Sequence, residues 1–159
     1  MVSAKVFSSL VLALLAGCAT SSMNAPLQSG DPSTISYTRV YCTPDNESHF
    51  ERVAIRLSKT NFAPPAKRLY AGGNTPVSTT LFVGGNAGWG AEDLKNGLNH
   101  PPPAPQLVVV LAGDWEVTTT DGETRHFRLG DVVRLDDTAP CKGHIAVVGD
   151  ESGQLMFAR

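Results

Sequence analysis

Three cysteines and four histidines are the side chains of this 159-residue chain with the most chemical potential. Cys18 stands behind a positively charged start (Lys5), an apolar run over residues 6–15 and the small pair Ala16-Gly17. A permanent helix needs roughly 20 residues to cross a ~30 Å hydrocarbon core, so this run is too short to span. It reads instead as an export signal, with small residues that let the backbone enter a peptidase cleft. Cys42 and Cys141 would then lie in a compartment that permits disulfides, and together they make an even number. A Cys42–Cys141 bridge would close a loop of nearly the whole domain, which the chain-entropy model credits with roughly 4–5 kcal/mol. The competing arrangement is two unrelated thiols, with Cys141 near a site.

The string Leu15-Ala16-Gly17-Cys18 resembles the lipobox of bacterial lipoproteins. There the thiol is alkylated with diacylglycerol before the leader is cut away, leaving the lipidated cysteine first. Two or three acyl chains, at ~0.8 kcal/mol per buried methylene, hold a protein stably where one chain does not. The resemblance implies a membrane partner through a lipid anchor and a place in the cell envelope. Ala19 rather than Asp follows the cysteine, which by the same resemblance favours the outer membrane, facing the periplasm, in a Gram-negative host.

Behind the anchor, residues 19–34 are small, polar and rich in chain breakers, with too little apolar surface to offset ordering; they read as a tether. The expected organisation is therefore a signal peptide over 1–17, the lipidated Cys18 and linker over 18–35, and one domain over 36–159. Formal net charge is −2 and forms no basic stripe, so no nucleic-acid partner is expected. Charged residues make up only 18%, while 15 Gly and 11 Pro point to many turns. Strand-like pieces alternate with those breakers from residue 35 onward, and no stretch carries helical periodicity beyond one turn within 91–98. Residues 106–111 form a continuous apolar run after Gln106, as expected of a strand buried on both faces. Asp121-Gly122 marks a hairpin turn. A two-residue loop there would expose Phe127. An odd loop, with Gly122 in the left-handed bulge position, puts Trp115, Val117, Phe127 and Leu129 on one face and turns His126 away from the core. Short strands at regular spacing indicate an all-β sandwich or barrel, and spacing alone does not choose between them.

The stretch from residue 100 to 148 resembles the cupin superfamily, and the resemblance chooses the barrel. Cupins carry a first motif of the form Gly-x5-His-x-His-x3/4-Glu-x6-Gly and a second of the form Gly-x5-Pro-x-Gly-x2-His-x3-Asn. Counting back from Gly113, the Glu position falls on Gln106, the first His on His100 and the second on Pro102. Gly130-Asp131 opens the second motif and His144 supplies its histidine, while Val148 stands where Asn is expected. Ser48-His49-Phe50, residues 61–65 and Gly88-Trp89 are also similar to small single-domain cupins, extending the likeness over most of 37–159. It implies an all-β, cupin-type double-stranded β-helix, or jelly-roll barrel, and a homodimer as in many cupins.

By resemblance the metal-ligand positions are His100, Gln106 and His144, around one divalent transition metal. Two imidazoles and an amide are all neutral, whereas such sites commonly include an anionic ligand. Asp136 or Asp137, just before His144, would restore the charge. Without a metal, the same three side chains would hydrogen-bond to one another and to backbone. At period two, His144, Ala146 and Val148 share one face, and Gln106, Val108 and Val110 another; both faces would line a small, largely apolar interior. Trp89 either stacks on a ligand at the barrel mouth or packs, and His49 sits on a loop with a surface or structural role. Three readings follow: a membrane-tethered lipoprotein whose barrel binds a small molecule and a divalent metal; a metal-dependent oxygenase or isomerase of a small metabolite; a non-catalytic structural or interaction protein of the envelope.

Overall fold

A computed structural model describes residues 30–159. The expected signal peptide, Cys18 and most of the tether lie outside the described residues. Turns and glycines cut the rest into eleven strands: β1 (Thr34–Cys42), β2 (Ser48–Arg56), β3 (Ser58–Thr60), β4 (Leu69–Ala71), β5 (Thr80–Gly85), β6 (Gln106–Ala112), β7 (Trp115–Thr119), β8 (Thr124–Phe127), β9 (Val132–Leu135), β10 (His144–Val148) and β11 (Gly153–Ala158). One short helix, α1 (Ala91–Asn96), interrupts them between β5 and β6. The domain thus begins at Thr34, two residues inside the stretch expected to be linker. Among the described residues no helix is long and apolar enough to cross a membrane.

Six strands form one sheet in the order β2-β1-β9-β6-β11-β5, and three form a second in the order β10-β7-β8. All pairings in these two sheets are antiparallel except β1 with β9. Val40, Val108, Val133 and Leu155 of the large sheet share a single buried cluster with Trp115, Val117, Phe127 and Val148 of the small one. Two sheets whose inner faces merge in this way make the all-β jelly-roll barrel that the resemblance implies. β3 and β4 pair with each other as a separate two-stranded ribbon.

The hairpin register follows side-chain parity. Trp115 pairs with Phe127 and Val117 with Arg125, and Gly122 has φ +86° with its N–H bonded to the Thr119 carbonyl at 3.0 Å. The odd loop is therefore present, and His126 faces outward to Asp114 and Glu116. Leu129 departs from expectation: it is 76% exposed. β8 stops at Phe127, and the Arg128 N–H turns onto the Asp131 carboxylate at 2.7 Å, so the alternation ends before reaching Leu129. β6 also differs from the expectation of burial on both faces. Gln106, Val108 and Val110 are buried, while Leu107 and Val109 are only half covered and Leu111 is 39% exposed. Among the described residues the outward side chains of β6 are left partly open, so the hydrophobic run is one-sided.

Candidate functional site

Gln106, Val108 and Val110 of β6 point between the sheets, as do His144 and Ala146 of β10, and a cavity of about 340 Å³ remains there. Its walls are mostly apolar, including Trp115, Phe127 and Leu155. Four polar side chains break that lining: His100, Gln106, His144 and Arg159. Trp89 and Pro101 to Pro103 also border the space.

The two imidazoles are brought together by backbone pairing. His100 and His144 form a small antiparallel bridge, with N–H to carbonyl distances of 2.9 and 3.2 Å. Directly opposed residues project to one side of a ladder, and the ring centroids lie 5.3 Å apart. This close approach needs Gly143, which has φ +82°; a Cβ there would lie 2.1 Å from the His100 carbonyl carbon. Protein around His100 disfavours its charged form and the neighbouring His144 adds to this, so its pKa is lowered despite opposing pulls from Asp93 and Asp137.

The loop 136–143 separates the two aspartates that the sequence left as alternatives. Asp136 turns to Arg39 at 2.5 Å and Arg134 at 2.8 Å, away from the cavity. Asp137 is fully buried and its Oδ2 lies 2.7 Å from His144 Nδ1. A carboxylate there accepts the Nδ1 proton and fixes the orientation of the imidazole ring. Asp137 Oδ1 is buried with no hydrogen-bond partner among the described residues. The loop is held at several points. A disulfide joins Cys42 of β1 to Cys141, with Cα atoms 5.8 Å apart. The Lys142 N–H donates to the Asn46 carbonyl at 3.0 Å, and the Lys142 ammonium pairs with Glu47.

Two participants were not singled out from sequence. Ser48, fully buried, donates its hydroxyl to the Gly143 carbonyl at 2.6 Å and accepts from the Thr120 N–H at 2.9 Å. It ties the start of β2 to the turn that seats His144. The Ser48-His49-Phe50 string carried a likeness but no role. Arg159 donates from Nε to Gln106 Oε1 at 2.8 Å; nothing local in the sequence links residues 53 positions apart. His49 pairs with Asp121 at 2.6 Å outside the cavity. Trp89, 49% exposed, borders the cavity and lies at a tilt to Trp115, with centroids 6.2 Å apart.

The donor set does not fit a resident divalent ion held by His100, Gln106 and His144. The Gln106 oxygen already accepts from a guanidinium, whose positive charge opposes a metal beside it. The carboxylate of Asp137 stands behind His144 and does not line the cavity. Among the described residues no three His, Cys, Asp or Glu side chains are grouped so as to hold a metal ion.

No family model matches the chain, and no curated protein does. Among solved structures, the chain is similar to a "putative ethanolamine utilization protein Q" from Salmonella typhimurium LT2, at 14% identity and a TM-score of 0.35, over 77% of this chain and 93% of that one.

Proposed function

We propose that this chain is a lipid-anchored protein of the bacterial envelope whose jelly-roll barrel binds a small organic molecule. The observation that carries the binding role is the open, mostly apolar cavity into which His100, Gln106, His144 and Arg159 project. Apolar walls with a few convergent polar groups are the usual form of a small-molecule site, and about 340 Å³ lies at the lower end of the usual range. An inert structural barrel would fill that space with side chains at interior packing density.

The anchor rests on the sequence around Cys18. Growth with a tagged fatty acid should label the wild-type chain and not Cys18→Ser. Label retained by the variant, or absent from both, contradicts the anchor.

For the cavity, calorimetric titration with 1-hexanol should give saturable binding, and Ala146→Phe should abolish it. Ala146 sits on β10 between His144 and Val148 and lines the cavity. A phenyl ring there occupies the space at a cost of about 1–3 kcal/mol for overpacking. Equal binding by both proteins places the ligand elsewhere. Elemental analysis of protein purified without chelator is expected to show less than stoichiometric transition metal. A full equivalent that is lost in His100→Ala and in His144→Ala would restore the metal reading.

A further inference from the structure

Arg159 is paired differently from four other arginines of the domain. Arg39, Arg125, Arg128 and Arg134 each meet a carboxylate at 2.8 Å or less. The guanidinium of Arg159, a half-buried residue that lines the cavity, meets only the amide oxygen of Gln106 among the described side chains. A guanidinium has five N–H donors and no acceptor, and this contact uses Nε alone. The remaining donors have no carboxylate side chain as partner among the described residues. Because the guanidinium can only donate, Gln106 turns its oxygen toward Arg159, and its amide nitrogen has no protein acceptor among the described residues. Gln106 itself is 4% exposed, and its side chain lines the cavity.

We infer that the occupant of the cavity is a small organic anion, an apolar body bearing one carboxylate, whose charged end docks on Arg159 and Gln106. The inference rests on the small-molecule reading above and names the class of ligand. A guanidinium beside apolar walls carries a desolvation cost that an arriving anion relieves. A planar carboxylate matches the guanidinium fork with two parallel charge-assisted hydrogen bonds. The rest of the lining then selects the body: Val108, Phe127, Leu155 and Phe157 offer apolar contact. One cation and one amide suit a single negative charge. The apolar walls disfavour a polyanion, whose further charges would lie unpaired.

The test compares hexanoate with 1-hexanol on the full chain in detergent at pH 7, by calorimetry and tryptophan fluorescence. Trp89 and Trp115 both border the cavity and serve as reporters. Hexanoate is expected to bind wild type about tenfold or more tighter than hexanol, the order of a charge-assisted contact. Arg159→Gln should remove that preference, with hexanoate losing about tenfold or more relative to hexanol, while a melting transition like that of wild type reports an intact barrel. Arg159→Lys keeps the charge, loses the fork and should fall between the two. Equal affinities for hexanoate and hexanol in wild type, or full hexanoate affinity in Arg159→Gln, overturn the anion assignment and leave the small-molecule reading standing. Failure of both probes to bind overturns both.

Discussion

The buried contact between Asp137 and His144 is the residue-scale feature most exposed to test. Asp137 is one residue beyond Asp136, yet one is sealed behind an imidazole and the other bonds two arginines. Alternation at the end of β9 separates them, and the sequence alone could not say which would face inward. Asp137→Ala leaves the His144 Nδ1–H buried without an acceptor, so unfolding in urea should show a loss of about 1–3 kcal/mol. Asp137→Asn retains an acceptor oxygen and should lose less. Equal stability of Asp137→Ala and wild type would contradict the contact. His100 contributes a pH dependence with a definite sign. Its folded pKa lies below the ordinary 6.5, so below that value the unfolded chain takes up more protons than the folded one. Stability from this group is fully present above pH 6.5 and is lost as pH falls through the folded value. His100→Gln should therefore show a shallower loss of melting temperature between pH 7 and pH 5 than wild type. Parallel profiles would contradict it.

At the scale of elements, the loop 136–143 and the strand it feeds decide where the site can form. The disulfide closes a separation of 99 residues, and a Cys42→Ser, Cys141→Ser pair should lose roughly 4–5 kcal/mol by the chain-entropy model, measured by chemical denaturation. Gly143→Ala is costly for two reasons: φ is +82°, and the new Cβ would collide with the His100 carbonyl. Positive φ alone costs about 1–2 kcal/mol, and the collision would separate the two histidines, so ligand affinity should fall together with stability. An unchanged affinity would show that the bridge does not seat the site. The β7–β8 hairpin was legible because only one loop parity buries Trp115 and Phe127 together. Leu129 was not legible, because the pattern continues past the point where the Asp131 side chain captures the chain. β6 was misread for a related reason: a hydrophobic run does not report which of its faces finds a covering layer.

For the whole molecule, turn spacing in the sequence left sandwich and barrel open, and motif resemblance selected the barrel; the strand order of the two sheets has that architecture. Motif resemblance names His100 and His144 together as site positions, and their backbone bridge brings them side by side. Two further participants come from elsewhere in the chain: Ser48 of β2, which holds the Gly143 carbonyl, and Arg159 from just beyond β11, which holds Gln106. Such long-range contacts have no local pattern in the sequence. The most direct measurement of cavity binding is methyl NMR of the full chain during titration with 1-hexanol. Shifts are expected on Val108, Val110, Ala146 and Leu155, whose side chains line the cavity, with Ile35 and Leu129 unmoved at the surface. Saturable shifts confined to the outer residues, or none at the inner four, would contradict a ligand inside the barrel.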